Sequence, residues 1–130
     1  MANEFARLIG EMAEKEFSIT GLSPSYAFVL MLVNKNPGIH PNELSSMLKL
    51  KPSTITRLLD KLVYLGYIDR SSKGRLVTII STKKGEDLQP LIEKAWQSLF
   101  VKYSDLLGRE KALELTSDIG AACKVIENNI

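Results

Sequence analysis

The side chains of this sequence best suited to chemistry lie between Lys51 and Leu62, in KPSTITRLLDKL. Wound as a helix, the stretch puts Ile55, Leu58, Leu59 and Leu62 on one face, at i, i+3, i+4 and i+7. Ser53, Thr54, Thr56, Arg57 and Lys61 fall on the other. An ordinary solvated face mixes Glu with Lys, whereas this one offers hydroxyls and cations. Small hydroxyl side chains near a helix N-terminus let a polyanion approach closely, and the free N–H groups of the first turn favour phosphate. Arg57, one turn further, is long enough to bond O6 and N7 of a guanine edge with its planar fork. Lys51 and Lys61 suit phosphates.

Catalysis needs converging groups, and little else here converges. The chain has one histidine and one cysteine, its carboxylates are scattered over solvent-type helix positions, and it has no Gly-rich phosphate loop or metal-ligand spacing. No enzyme activity, cofactor or metal is expected. His40 and Glu43 stand at i, i+3, where a helix cap is the ordinary use of such a pair. Cys123 lies beside Ile119 and Ile126 and is expected to pack as a small hydrophobe; a thiol-based redox sensor is the alternative.

With 130 residues, 45% hydrophobic and 25% charged, the chain has the size and composition of one domain, 1–130. Its start is acidic and amphipathic, and its longest apolar run, Tyr26 to Val33, is eight residues. Neither a leader nor a membrane span is expected, and one cysteine without an internal partner fits a cytoplasmic protein. The net charge of +2 divides unevenly. From His40 to Gly85 nine cations stand against three anions, a net of +6, so the remainder carries −4. A basic middle between acidic ends points to a polyanionic partner for the middle alone.

The elements that must hold the Lys51–Leu62 face follow from the punctuation around it. Ser23-Pro24 reads as an N-cap and first helical residue, opening a helix through Phe28, Leu30 and Val33 to the breaker Asn36-Pro37-Gly38. Pro41 opens a short second helix with Leu44, Met47 and Leu48 as its apolar stripe, and the Lys51–Leu62 stretch is the third, closed by Gly66 as a left-handed C-cap. The period then changes. Tyr67–Arg70 and Leu76–Ile80 read as strands joined by Ser71-Ser72-Lys73-Gly74-Arg75, a hairpin that must lean on the helices to be stable. Three helices and a hairpin, in this order, make a winged helix-turn-helix, in which the third helix enters the major groove of double-stranded DNA. Arg70, Lys73 and Arg75 are the hairpin's candidate DNA contacts.

These residues also carry a resemblance. GIHPNELSSMLKLKPSTITRLLDKLVYLGYIDR, with the hairpin and Ser81-Thr82-Lys83-Lys84-Gly85 after it, resembles the core of the multiple antibiotic resistance regulator (MarR) family from Leu22 to Gly85. The resemblance implies an obligate homodimer whose terminal helices interlock. It also implies a pseudo-palindromic operator, often released when a small phenolic or lipophilic effector, or an oxidant, is sensed. The hairpin departs from the family pattern, in which aspartates precede and hold the wing arginine. Here the tip has no carboxylate, so Lys73 and Arg75 are expected to act mainly on phosphates.

The flanks support a dimer independently. Phe5, Leu8, Ile9 and Met12, with Ala13 and Phe17, form one stripe; Leu115, Ile119, Ala122 and Ile126 form another at spacings 4, 3, 4. A long helix from about Lys83 joins hairpin to C-terminus, with Pro90 expected to bend it. The expected fold is therefore mainly α with a small β-hairpin wing (α+β). Residues 22–82 form the winged helix-turn-helix lobe, and 1–19 and 83–130 form the dimerisation helices. Tyr26, His40, Trp96 and Tyr103 are candidate effector contacts where lobe and dimer helices meet. The function expected is a DNA-binding transcriptional repressor; a winged-helix protein-interaction module without sequence-specific DNA binding is the competing class.

Overall fold

A computed structural model describes residues 1–130. The order of elements is α1 (Ala2–Phe17), a 3-10 turn (Ser18–Thr20), α2 (Pro24–Lys35), α3 (Pro41–Leu48), α4 (Pro52–Tyr64), β1 (Ile68–Lys73), β2 (Leu76–Ser81), α5 (Lys83–Leu107) and α6 (Arg109–Glu127). The fold is mainly helical with a single two-stranded antiparallel sheet, as the sequence predicts. The chain forms two compact units, Met1–Ala95 and Trp96–Ile130. α1 lies within the first unit. Its Phe17 is fully buried and meets Phe28 of α2 edge to face, with ring centroids 5.4 Å apart. No single helix is long and apolar enough to cross a membrane.

The three helices of the lobe start sharply for one shared reason. Each opens with proline at its first position, and proline forces the residue before it into extended backbone. Ser23, His40 and Lys51 all have ψ near 150° (158°, 148° and 147°). Ser23 occupies the expected N-cap position, but its side chain makes no capping bond, so proline geometry alone sets that boundary. In α4, Ile55, Leu58, Leu59 and Leu62 are all at most 2% exposed, which fixes the phase of its outer face. α3 corrects one expectation: Leu44 is buried, but Met47 is 52% exposed and takes no part in the core. Its position, three residues beyond Leu44, lies on the edge of a helix too short to bury a full stripe.

α4 ends in a Schellman arrangement. Tyr67 N–H donates to Leu62 O and Gly66 N–H to Val63 O, each at 3.0 Å, with Gly66 at φ +82°. The hairpin that follows is longer than predicted. Its strands extend to Lys73 and from Leu76, pairing Lys73 with Leu76 and Ile68 with Ser81, so the loop is only Gly74-Arg75. Gly74, first of the two loop residues, has the positive φ (+63°) that a tight hairpin turn needs there. The hairpin leans on the α2–α3 connection. Gly38 N–H donates to Ile79 O and Ile79 N–H to Ile39 O, both at 2.9 Å, which adds a short third edge to the sheet. α5 continues through Pro90 as one helix of 25 residues.

Candidate nucleic-acid interface

The outer face of α4 is built as the sequence predicts. Ser53, Thr56, Arg57, Asp60 and Lys61 are exposed and Thr54 is half-buried. Thr56 Oγ1 donates to Pro52 O (3.0 Å), so its hydroxyl proton is spent within the helix and its oxygen remains an acceptor. Arg57 is exposed and holds no carboxylate. Lys61 lies with its ammonium 5.8 Å from the ring centre of Tyr64, a residue 83% exposed on the same face. Tyr64 is seven residues from Arg57 and three from Lys61, so helical periodicity could have added it to the face. Lys51, at the helix's N-cap position, is exposed too.

On the hairpin, Lys73 and Arg75 flank the turn, both exposed and without a carboxylate. Arg70 differs. Its guanidinium lies 2.5 Å from the Asp60 carboxylate, tying the hairpin to α4. Other cations of the basic middle are engaged as well. The Asp87 carboxylate hydrogen-bonds Lys83 at 2.7 Å and raises its pKa above the ordinary lysine value. Lys84 donates to Leu65 O at 2.7 Å and lies 4.5 Å from the Tyr67 ring centre. None of these three pairings shows in sequence spacing except the i, i+4 pair of Lys83 with Asp87.

His40 serves as the local anchor its cap position suggested. Glu43 accepts from the His40 backbone N–H (3.2 Å), and His40 Nδ1 lies 2.8 Å from Val77 O. A carbonyl only accepts, so Nδ1 carries the proton, and the ring fastens the start of α3 to β2. Of the other candidate effector contacts, Tyr26 is half-buried on α2. Trp96 (48% exposed) and the half-buried Tyr103 lie on the part of α5 beyond Ala95.

The candidate dimerisation residues divide in the single chain. Ala13 and Phe17 of the first stripe are buried, while Phe5 and Leu8 are exposed and Ile9 and Met12 half-buried. On α6, Ile119, Ala122 and Ile126 are exposed and Leu115 is half-buried. Cys123, expected to pack as a small hydrophobe, is exposed, because the α6 face that carries it is uncovered within the chain.

Comparison with known proteins follows the same lines. The MarR-family model matches residues 20–75, the segment holding α2 to the hairpin turn. A curated relative, the uncharacterized HTH-type transcriptional regulator YybA of Bacillus subtilis (strain 168), is 26% identical over 110 residues, 82% of this chain and 73% of its own. Among solved structures, a cysteine-to-serine variant of MarR from E. coli in complex with operator DNA superposes with a TM-score of 0.83 at 19% identity, over 93% of this chain and 89% of that one. CouR from Rhodococcus jostii RHA1, bound to p-coumaroyl-CoA, superposes at 0.77 with 19% identity, over 93% and 87%. The matched lobe, the curated relative and the shared fold agree in their likeness: the chain is similar to the MarR family of winged helix-turn-helix transcriptional regulators.

Proposed function

We propose that this chain is a homodimeric, sequence-specific repressor that occupies a pseudo-palindromic operator with α4 in the major groove and the hairpin along the flanking backbone. The observation that carries the reading is the α4 face: exposed hydroxyls at the helix start, and one turn on an exposed Arg57 with no carboxylate of its own. An arginine left unpaired on a protein surface is available for a bidentate base contact, and the hydroxyls for phosphate. Lys73 and Arg75 at the carboxylate-free tip supply phosphate contacts, and Arg70 reaches DNA only by leaving Asp60. The protein acts by binding, in the cytoplasm, without a catalytic step.

The dimer rests on apolar surface that one chain leaves uncovered. Phe5 and Leu8 on α1, and Leu113, Ile119, Val125 and Ile126 on α6, are all more than a third exposed, a density of apolar groups that marks an interaction surface. The relatives support the two kinds of ligand. One is a complex with operator DNA and another a complex with p-coumaroyl-CoA. A small phenolic or lipophilic effector that releases the operator belongs to this reading.

Selection from a random-sequence duplex pool with the purified protein tests the proposal. Enrichment of a motif with two related half-sites about one helical turn apart is the expected result. A pool that enriches nothing overturns it and leaves the protein-interaction reading.

A further inference from the structure

The carbonyls of Leu65, Gly66 and Tyr67, where the chain leaves α4, all accept from one short segment. Lys84 Nζ donates to Leu65 O (2.7 Å), Thr82 Oγ1 to Gly66 O (2.6 Å) and Thr82 N–H to Tyr67 O (3.0 Å). Thr82 Oγ1 also accepts from Gly85 N–H at 3.2 Å. The contact is close enough that a Cβ on Gly85 would sit 2.1 Å from Tyr67 O. The carbonyl end of a helix carries partial negative charge, and a lysine ammonium placed there both bonds an orphan acceptor and opposes that charge. Lys84 comes from the first turn of α5, 19 residues from its acceptor, so the bond joins two elements and not two turns of one.

We propose that Lys84 is a positioning residue for DNA reading: it clamps the exit of α4 to the start of α5 and so fixes the angle at which the α4 face meets base edges. This rests on the DNA-binding reading above and adds to it, because the charge of Lys84 counts toward a basic patch yet acts inward. Base-edge contacts need side chains held within about half an ångström, while attraction to phosphate tolerates much looser geometry. Removing the clamp therefore lowers preference for the right sequence and leaves general DNA affinity in place.

The test compares wild type, Lys84→Met and Lys84→Arg on an operator duplex from the selection and on its scrambled counterpart, by fluorescence anisotropy at four salt concentrations. Lys84→Met keeps an unbranched apolar side chain and loses the ammonium; Lys84→Arg restores a charged donor. The expected result for Lys84→Met is a loss of operator preference of about tenfold, with unchanged affinity for scrambled duplex and an unchanged salt slope. Lys84→Arg should recover most of the preference. An equal loss on both duplexes with a salt slope smaller by about 0.9 would show a phosphate contact and overturn the proposal. Unchanged binding on every count would overturn it too. Should Lys84→Met not fold by circular dichroism, Lys84→Leu removes the same donor and charge and carries the same prediction. Wild-type protein that binds both duplexes equally would instead fail the DNA-reading proposal itself, a result separate from any effect of the substitutions.

Discussion

The Arg70 guanidinium on the first strand of the wing lies 2.5 Å from the carboxylate of Asp60 on the outer face of α4. Both side chains are substantially exposed, 34% and 58%, so the pair holds its geometry in water and contributes little to stability. Its larger consequence is electrostatic. Asp60 places one negative charge among the cations of the proposed DNA-facing surface and occupies one of them.

Asp60→Asn should therefore change stability by less than about 1 kcal/mol in a denaturant titration. On scrambled DNA it should bind more tightly, with a salt slope larger by about one, because a repulsive charge is gone and Arg70 is free to reach phosphate. Unchanged non-specific affinity would show that Asp60 lies away from the duplex.

Arg57 and Lys73 separate base reading from phosphate attraction. Arg57→Ala should cost about 1–3 kcal/mol on the operator and relax preference at one base pair. Lys73→Ala should weaken all duplexes alike and lower the salt slope by about one. The pair of anisotropy series checks both, and an Arg57→Ala protein indistinguishable from wild type on the operator would mean that the phase of α4 toward DNA is wrong.

Gly85→Ala tests the α4–α5 junction sterically. The 2.1 Å approach to Tyr67 O is to backbone, which cannot rotate away, and Leu30 closes the other side at 3.2 Å. Overpacking of this kind should cost about 3 kcal/mol, seen as a fall of roughly 10 °C in the thermal midpoint. A fall of only 1–2 °C would indicate a junction that yields easily.

Ile126→Glu tests the dimer. Ile126 is 58% exposed in the single chain, so a charge there disturbs no core of that chain. Sedimentation velocity should show wild type at twice the mass of one chain and the variant shifted toward a single chain, with operator affinity reduced because two half-sites no longer bind together. A variant that sediments like wild type would place the interface elsewhere.

Much of the lobe was legible because its signals are local. Proline at the first residue of α2, α3 and α4 fixes three helix starts, and the spacing of Ile55, Leu58, Leu59 and Leu62 fixes which side of α4 is buried. The length of the wing was not legible. Ser71, Ser72 and Lys73 are exposed strand residues with turn-like composition, so nothing in their types distinguishes ladder from loop. Nor were the engagements of Arg70 with Asp60 and Lys84 with Leu65, because each depends on where the chain returns after a turn. Met47 lies outside the core because a short helix buries only part of its apolar stripe, and Cys123 is exposed in the single chain because a stripe on α6 needs a surface that its own chain does not provide.

Whether the α4 face reads DNA sequence is decided by anisotropy titration of the wild-type protein on a duplex enriched in the selection and on its scrambled counterpart, at 50 and 200 mM salt, roughly the span over which phosphate contacts show. The expected result is tight, salt-sensitive binding with a preference of ~10³-fold or more for the enriched duplex. Equal affinity for the two duplexes at both salt concentrations would contradict it.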